Sequence, residues 1–342
     1  MIKVIIPIVI HMFIRIGYIA ILGYHKKFKG DSLNNMKRKI WINGEFVNWN
    51  DASVHILSHS HQRGSLIFGF IPIFENENGT FIFRIDKHIE RLYSSCDLAG
   101  IPIDYKESEL INAVFDTVKE NSGSRFIKIS VFIASIEIDV VPQDPITTVA
   151  IAAYEPQKDI IEKNSNPFHR SDYLSVWIEK DKHQRRSDII DPQIKIAANY
   201  TSPMIAKWKA RKNGYDEIIL TDSEGYVTEA PTSNVFIVNQ DGVLMTAHED
   251  QVLHGITRMS IIEIAEDEGI NINIGRIPLK ELQDAKEVFI TSSSHLVCPV
   301  KSLDKMPVGN GEIGKITMIL KNRFLKATEG KDSKFNKWLS QI

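Results

Sequence analysis

The sequence predicts an α+β protein of two domains, in which antiparallel and mixed sheets are flanked by helices. A chain of 342 residues is long enough to form two hydrophobic cores. Hairpin patterns with turns of Asn, Asp, Ser and Gly favour antiparallel strands over a doubly wound parallel sheet. A polar segment, 155–166, contains Pro156 and is followed by Pro167, which predicts a linker between a small domain, 36–154, and a large domain, 167–342.

The small domain is predicted to be a sheet with helices. Apolar and polar residues alternate in its expected strands, and its expected helices repeat apolar residues every three or four positions. In chain order we expect a hairpin over 40–47 that turns at Asn43-Gly44, strands over 67–74 and 81–84, a helix capped by Asp86, a helix over 107–121, and strands over 126–134 and 147–153.

The large domain is predicted to be richer in strands. Two hairpins are expected, because apolar runs flank the turn sequences at 222–225 and 239–242. We also expect a strand at Lys195, a helix that follows it through Trp208, and a strand over 287–290.

Composition and charge are those of an ordinary globular protein and favour no nucleic-acid or membrane partner. Hydrophobic residues make up 43% and charged residues 25% of the chain, which is ordinary for a globular protein. The formal net charge of −2 gives no electrostatic argument for binding nucleic acid or an anionic membrane.

Cys96 and Cys298 form no metal-binding pattern, so we expect buried free thiols in the cytoplasm. No metal site is predicted, and His55, His59 and His61 are interpreted as structural.

The N-terminus carries an apolar segment, residues 4–22, whose length approaches that of a membrane span. Arg15 lies near its middle and would be costly in lipid. A polar segment and then Met36 follow. We interpret residues 1–35 as an extension upstream of the true start at Met36, with a membrane anchor as the alternative.

Three short runs carry the chemistry. They are Ile194–Tyr200, Gly225–Phe236 and Leu253–Arg258. In that order they supply an amine, a phenol, a carboxylate and a helix start whose free N–H groups bind anions. A lone lysine is usually a solvated surface charge, so only the order and spacing of the whole set make it specific.

This set resembles the class IV, or fold type IV, pyridoxal-phosphate aminotransferases, from about Trp41 to about Val300. The family contains branched-chain amino acid aminotransferases, D-amino acid aminotransferases, amine transaminases and aminodeoxychorismate lyase. The resemblance implies the two-domain fold of that family, pyridoxal 5'-phosphate as the cofactor, and a homodimer or higher homo-oligomer.

The resemblance assigns three residues to the ring of the cofactor. Lys195 is implied as the lysine that binds the aldehyde covalently and then carries the proton. Tyr200 is implied as the donor to the phenolic oxygen of the ring. Glu229 is implied as the partner that keeps the pyridine nitrogen protonated.

The resemblance assigns four residues to the phosphate. Arg91 precedes Leu92 on the helix behind Asp86, and its planar guanidinium suits a phosphate group. Ile256 and Thr257 begin the next phosphate-binding helix. Ser293 follows the strand over 287–290 and is the third contact.

The substrate pocket departs from the branched-chain pattern. Those enzymes usually have Phe-Glu-Gly-Ile-Arg where this chain has residues 68–72, so that Phe70 and Pro72 replace a glycine and an arginine. Branched-chain enzymes tend to have Tyr-Ile-Arg where this chain has Phe-Ile-Lys at residues 126–128. The Lys128 ammonium group is a point charge, whereas an arginine offers two parallel hydrogen bonds to a carboxylate. The expected substrate contacts are Phe68, Phe70, Lys128 and Ser294.

The expected activity is transamination between a hydrophobic, branched-chain-like amino acid and 2-oxoglutarate, with ping-pong kinetics through pyridoxamine phosphate. The pair Asn199-Tyr200 and the apolar residues 68–71 favour this interpretation. The runs 232–234 and 253–255 are instead similar to D-amino acid and (R)-amine transaminases, which remain the alternative. Aminodeoxychorismate lyase chemistry is disfavoured by Asn199-Tyr200.

Overall fold

The computed structural model of this chain describes residues 37–163, 171–180 and 186–342. The extension over residues 1–35, with its apolar segment 4–22, lies outside the described residues. Among the helices of the described ranges, none combines the length and the apolar composition that a membrane crossing requires.

The predicted elements of the N-terminal part are all present. The first hairpin turns where Asn43 and Gly44 adopt φ angles of 47° and 101°, a left-handed geometry that suits Asn-Gly. The elements are β1 (Lys39–Ile42), β2 (Glu45–Asn48), α1 (His59–Arg63), β3 (Leu66–Asn76), β4 (Gly79–Phe83), α2 (Ile85–Ala99), α3 (Glu107–Glu120), β5 (Phe126–Ile133) and β6 (Thr147–Tyr154).

The prediction that Asp86 caps α2 is wrong. Helix α2 begins at Ile85, two residues earlier than a cap at Asp86 implies, and Arg84 stands at the cap position with a left-handed φ of 43°. The cause is a tertiary contact, because the Arg84 guanidinium donates to Ser260 Oγ at 3.1 Å and Glu263 Oε1 at 2.6 Å. Asp86 lies in the first turn of the helix, where a carboxylate still complements the helix dipole.

The expected linker is partly helical. Helix α4 (Pro156–Asp159) begins with its proline at the first position, and the Glu155 side chain accepts from two backbone N–H groups there. Asp159 also forms an ion pair with Arg38, which holds this segment against the N-terminal part. The division into two domains at 155–166 stays a prediction.

The C-terminal part contains the larger number of strands. Its elements are β7 (Leu174–Glu179), α5 (Thr201–Lys212), β8 (Glu217–Leu220), β9 (Tyr226–Val227), β10 (Glu229–Ala230), β11 (Ser233–Val238), β12 (Leu244–Thr246), α6 (Ile256–Asp267), β13 (Ile272–Ile274), β14 (Ile277–Pro278), α7 (Leu279–Gln283), β15 (Glu287–Ser292), β16 (Leu296–Leu303), β17 (Met306–Pro307), α8 (Lys315–Thr328) and β18 (Leu339–Gln341).

Two large sheets organise the molecule. The first has the order β18-β4-β3-β5-β6-β1-β2 and is antiparallel throughout, so that the C-terminal strand β18 completes the sheet of the N-terminal part. The second has the order β13-β12-β11-β15-β16-β7-β8 and is mixed, because β7 runs parallel to both of its neighbours and β12 runs parallel to β13. The predicted α+β class is confirmed.

Helices cover both sheets and bury separate apolar clusters. Ile89 and Leu92 of α2 belong to the same buried cluster as Ile71 and Ile127 of the first sheet. Helices α6 and α8 contribute Ile261 and Leu320 to a cluster on the second sheet. The two parts also meet through an isolated bridge between Ile67 and Ile196, next to the lysine singled out above.

Candidate functional site

A cavity of about 330 Å³ lies between the two parts of the chain. Ten of the eleven residues expected from the sequence line it, although they come from β3, α2, the segment before α5, β10, the start of α6 and the turn after β15. They are Phe68, Phe70, Arg91, Lys195, Tyr200, Glu229, Ile256, Thr257, Ser293 and Ser294. The remaining residue, Lys128, has its Nζ 5.0 Å from the centre of the Phe68 ring.

Lys195 lies in an irregular segment, so the expected strand at this residue is wrong. Its neighbour Ile196 forms an isolated bridge, and a short 3₁₀ helix, Ala197–Tyr200, begins directly afterwards. This turn brings the tyrosine back towards the lysine. Lys195 Nζ donates to the Tyr200 hydroxyl oxygen at 2.9 Å and lies 4.9 Å from the centre of the Phe68 ring.

Glu229 lies on β10, paired with β11, and is only 3% exposed. Its Oε2 accepts hydrogen bonds from Asn234 Nδ2 at 3.4 Å and from the Leu253 N–H at 3.2 Å. Asn234 also donates to the Leu253 carbonyl at 2.9 Å, so its amide joins the carboxylate to the loop before α6. A buried carboxylate needs such donors, since burying an unpaired charge is costly.

The part of the cavity at the start of α6 is suited to an anion. Helix α6 begins at Ile256 with Gly255 at its cap position, so the first N–H groups of the helix are available there. Arg91 Nη1 donates to the His254 carbonyl at 2.8 Å, which places the guanidinium beside this helix start. Burial lowers the pKa of Arg91 to about 10, with Tyr200 acting in the opposite sense, so the group stays charged at neutral pH.

The walls of the cavity carry unsatisfied polar atoms. Ser233 Oγ and Thr291 Oγ1 are buried, and neither has a hydrogen-bond partner among the described residues. Both residues line the cavity. A buried hydroxyl without a partner costs free energy, and a polar ligand in the cavity removes that cost. The donor set and these hydroxyls therefore fit a phosphorylated, aromatic aldehyde such as pyridoxal phosphate.

The apolar side of the cavity is formed by phenylalanines. Phe70 stacks on Phe126 with ring centres 4.6 Å apart, and Phe68 packs against the Tyr200 ring at 5.3 Å. The pKa of Lys128 is lowered, first by desolvation of its ammonium group and second by the charge of Lys195. The ammonium groups of Lys128 and Lys195 thus both lie about 5 Å from the centre of the Phe68 ring, at 5.0 and 4.9 Å.

Three residues near the cavity were given no role of their own from the sequence. Asn234 and Ser95 act through hydrogen bonds over long sequence separations, which no local pattern reveals. His88 is 1% exposed, and neither ring nitrogen has a partner within the described part of the chain. Burial, and then the charges of Arg91 and Lys195, hold the pKa of His88 well below its usual range. The one available signal was helical spacing, since positions 88, 91 and 95 share a face of α2.

Two of the three histidines considered above as metal ligands make local hydrogen bonds. The buried His59 ring bonds to Ser65 Oγ at 2.8 Å and to the Val140 carbonyl at 3.0 Å. His55 is exposed, and its Nδ1 accepts from the Leu57 N–H.

Comparison with known proteins agrees with this geometry. The family model for amino-transferase class IV matches residues 72–303. A branched-chain-amino-acid aminotransferase of Escherichia coli K12 is 30% identical over 305 residues, covering 89% of this chain and 97% of the relative. A probable branched-chain-amino-acid aminotransferase of Rickettsia bellii is 32% identical, covering 85% of this chain and 96% of the relative.

Solved structures show the same similarity. The branched-chain amino acid aminotransferase of Escherichia coli superposes with a TM-score of 0.81 and 29% identity, covering 90% of this chain and 99% of its own. The branched-chain amino acid aminotransferase of Thermobaculum terrenum, solved in its PLP-bound holo form, has a TM-score of 0.78 and 26% identity and covers 89% and 98% of the two chains.

The fold and the cavity define an enzyme that uses pyridoxal 5'-phosphate as its cofactor. The chain belongs to the class IV aminotransferases. The expectation of this family from the three sequence runs is confirmed, while the roles of single residues remain predictions.

Gly255 is expected to be essential for cofactor binding, since a Cβ at this position lies 2.0 Å from Asn234 Oδ1. Gly255→Ala should displace Asn234 from Glu229 and shift the start of α6. We expect the dissociation constant of pyridoxal phosphate from the apoenzyme to rise at least about ten-fold, or about 1.4 kcal/mol. Gly275→Ala is the control, because its Cβ meets Asn273 Oδ1 at an ordinary 3.4 Å. Equal dissociation constants for the two variants would contradict the prediction.

Proposed function

We propose that this enzyme transfers the amino group of a hydrophobic, branched-chain-like L-amino acid to 2-oxoglutarate. The observation that carries the proposal is the hydrogen bond of 2.9 Å between Lys195 Nζ and the Tyr200 hydroxyl, in a cavity walled by Phe68 and Phe70. The relatives described as branched-chain aminotransferases support the choice of substrate. Donor and acceptor bind in turn at this one cavity, which gives ping-pong kinetics.

Three residues are proposed to act on the reacting groups. Bound pyridoxal phosphate supplies an aldehyde that takes up an amino group and a ring that draws off electrons. Lys195 holds the aldehyde covalently and, once released, carries the proton at its Nζ. Tyr200 orients that amine and donates to the ring oxygen. Glu229, buried and held by two donors, keeps a positive pyridine nitrogen in place.

The phosphate is proposed to bind at the start of α6. Ile256 and Thr257 line the cavity at the positive end of the helix dipole, where their N–H groups and the Thr257 hydroxyl would contact the phosphate. Arg91 adds a charge-assisted contact to the phosphate, and Ser293, in the turn after β15, adds a further hydrogen-bonding group. Together these groups anchor the cofactor independently of the covalent bond to Lys195.

The substrate is proposed to bind on the phenylalanine side. Phe68, Phe70 and the Phe126 ring stacked on Phe70 offer apolar contact to an aliphatic side chain. Lys128, whose Nζ lies 5.0 Å from the centre of the Phe68 ring, can pair with a substrate carboxylate, and Ser294 lines the same cavity. Because Lys128 offers an ammonium group where branched-chain enzymes tend to have an arginine, its contact with a substrate carboxylate is less directional than the paired hydrogen bonds of a guanidinium group.

A second copy of the chain is proposed to complete the enzyme as a homodimer. The loop between β5 and β6 exposes large apolar side chains, with Ile138 exposed to 95%. The loop is nevertheless held in place, because the Val140 carbonyl bonds to His59 Nε2 at 3.0 Å. An ordered apolar surface of this kind is typical of a protein interface. The other exposed apolar residues of this loop are Ile136, Val140, Val141 and Ile146.

A cytoplasmic location is proposed from the cysteines. Cys96 and Cys298 are buried and are not joined to each other in a disulfide. Burial raises the pKa of the Cys96 thiol to about 12, so it stays protonated and unreactive. Reduced thiols of this kind suit a reducing compartment.

A panel of amino donors tests the proposed substrate. Each methylene buried against Phe68 and Phe70 contributes about 0.8 kcal/mol, so L-leucine should exceed L-alanine in kcat/KM by well over about ten-fold. The measurement is initial-rate kinetics of both enantiomers of leucine, isoleucine, alanine and aspartate with 2-oxoglutarate as acceptor. Preference for alanine or aspartate, or reaction of the D-enantiomers alone, would replace this proposal with the D-amino acid or (R)-amine transaminase alternative.

Arg91→Ala and Glu229→Gln should separate binding from chemistry. Loss of the guanidinium removes a charge-assisted contact of about 1.5–3 kcal/mol, so the dissociation constant of the cofactor should rise by roughly ten-fold or more. Glu229→Gln should leave that constant nearly unchanged and lower kcat, since it removes the charge facing the pyridine nitrogen.

Cofactor titration of the apoenzymes and steady-state kinetics measure the two effects. Arg276→Ala is the control, because Arg276 is an exposed arginine paired with Glu224. Purely binding defects of equal size in the Arg91 and Glu229 variants would be inconsistent with these roles.

A further inference from the structure

The main chain of Lys195 is held on both sides by the N-terminal part of the molecule. Its N–H donates to Ser95 Oγ at 3.1 Å, and its carbonyl accepts from the Phe68 N–H at 3.1 Å. Ser95 lies on α2 and Phe68 on β3, both far from residue 195 in sequence. The lysine of the C-terminal part is therefore located by contacts with the N-terminal part.

Of the two hydrogen bonds that hold the main chain of Lys195, only the one with Ser95 involves a side chain. Ser95 is 0% exposed, and its hydroxyl also donates to the Gln193 carbonyl at 3.5 Å. One hydroxyl thus joins the carbonyl of residue 193 to the N–H of residue 195. Because the segment around Lys195 is irregular, it lacks the repeated bonds of a helix or strand that fix the backbone elsewhere.

The same face of α2 also reaches the start of α6. Arg91 lies four residues before Ser95, one helical turn away, and donates to the His254 carbonyl beside the start of α6. A rigid helix thereby sets the distance between the proposed phosphate site and the lysine. Catalytic groups must be held in a near-attack geometry, and a displacement of about 1 Å can cost about a hundred-fold in rate.

We infer that Ser95 is a positioning residue, which fixes the Lys195 backbone so that Nζ meets the Tyr200 hydroxyl. This inference rests on the proposed function, in which Lys195 holds the cofactor. Ser95 itself lies behind the lysine and does not line the cavity. Its loss should therefore disturb the placement of the amine and leave the phosphate contacts intact.

Ser124 provides a matched control. It is 1% exposed, and its hydroxyl accepts from Arg38 Nη1 at 2.9 Å and donates to the Asn121 carbonyl at 2.6 Å. Like Ser95, it makes one accepted and one donated hydrogen bond in a buried position. It does not line the cavity, so Ser124→Ala removes an equivalent hydroxyl without touching the segment of Lys195.

The experiment compares Ser95→Ala with Ser124→Ala in the holoenzyme. The visible absorbance of the attached cofactor is titrated with pH, and kcat, the cofactor dissociation constant and Tm are measured on the same preparations. We expect Ser95→Ala to shift the titration midpoint by at least about 0.5 unit and to lower kcat about ten-fold to a hundred-fold, with the dissociation constant changed less than about three-fold. Ser124→Ala should lower Tm similarly and leave the midpoint and kcat unchanged.

Two further results decide the inference. Ser95→Cys has a side chain of similar size with a weaker hydrogen-bonding group, and it should also move the titration midpoint away from the wild-type value, which is measurable even if Ser95→Ala does not fold. A wild-type midpoint in the Ser95 variants, or an equal shift in Ser124→Ala, would overturn the positioning role. Peptide mapping of the borohydride-reduced wild type tests separately whether Lys195 carries the cofactor, so failure of the proposed function is distinguishable.

Discussion

The hydrogen bond between Lys195 Nζ and the Tyr200 hydroxyl is the contact on which the rest of the site depends. The two groups lie 2.9 Å apart because the short helix Ala197–Tyr200 turns the chain back on itself. The main chain of Lys195, just before that turn, is held by Ser95 and by the Phe68 N–H of the first sheet. The reacting amine is thus located where the two sheets meet, and neither sheet alone forms the cavity.

The remaining charges are arranged around that point by a small number of contacts. Asn234 joins Glu229 to the loop before α6, and the lack of a side chain at Gly255 makes room for it. Arg91 reaches the same loop from α2, through the His254 carbonyl. The carboxylate end and the anion end of the cavity therefore share one loop, so a change in that loop affects both the ring and the phosphate.

Much of the fold could be predicted from local patterns, and the parts that could not depend on distant contacts. Alternation and turn residues such as Asn43-Gly44 determined the hairpins, because both signals act within a few residues. Asp86 was expected at the cap of α2, but the left-handed Arg84 stands there because it binds Ser260 and Glu263 across the molecule. In the site, ordered motifs predicted ten residues that line the cavity, whereas Ser95 carries no motif and its contact spans a hundred positions.

The central claim is that Lys195 is the amine that holds the cofactor, and borohydride reduction of the holoenzyme tests it most directly. Reduction makes the bond between the lysine and pyridoxal phosphate permanent, and peptide mapping then locates the modified residue. We predict a single modified peptide that contains Lys195, and no attached cofactor in Lys195→Ala after the same treatment. Modification of Lys128, the other ammonium group beside the Phe68 ring, or of any further lysine would contradict the account.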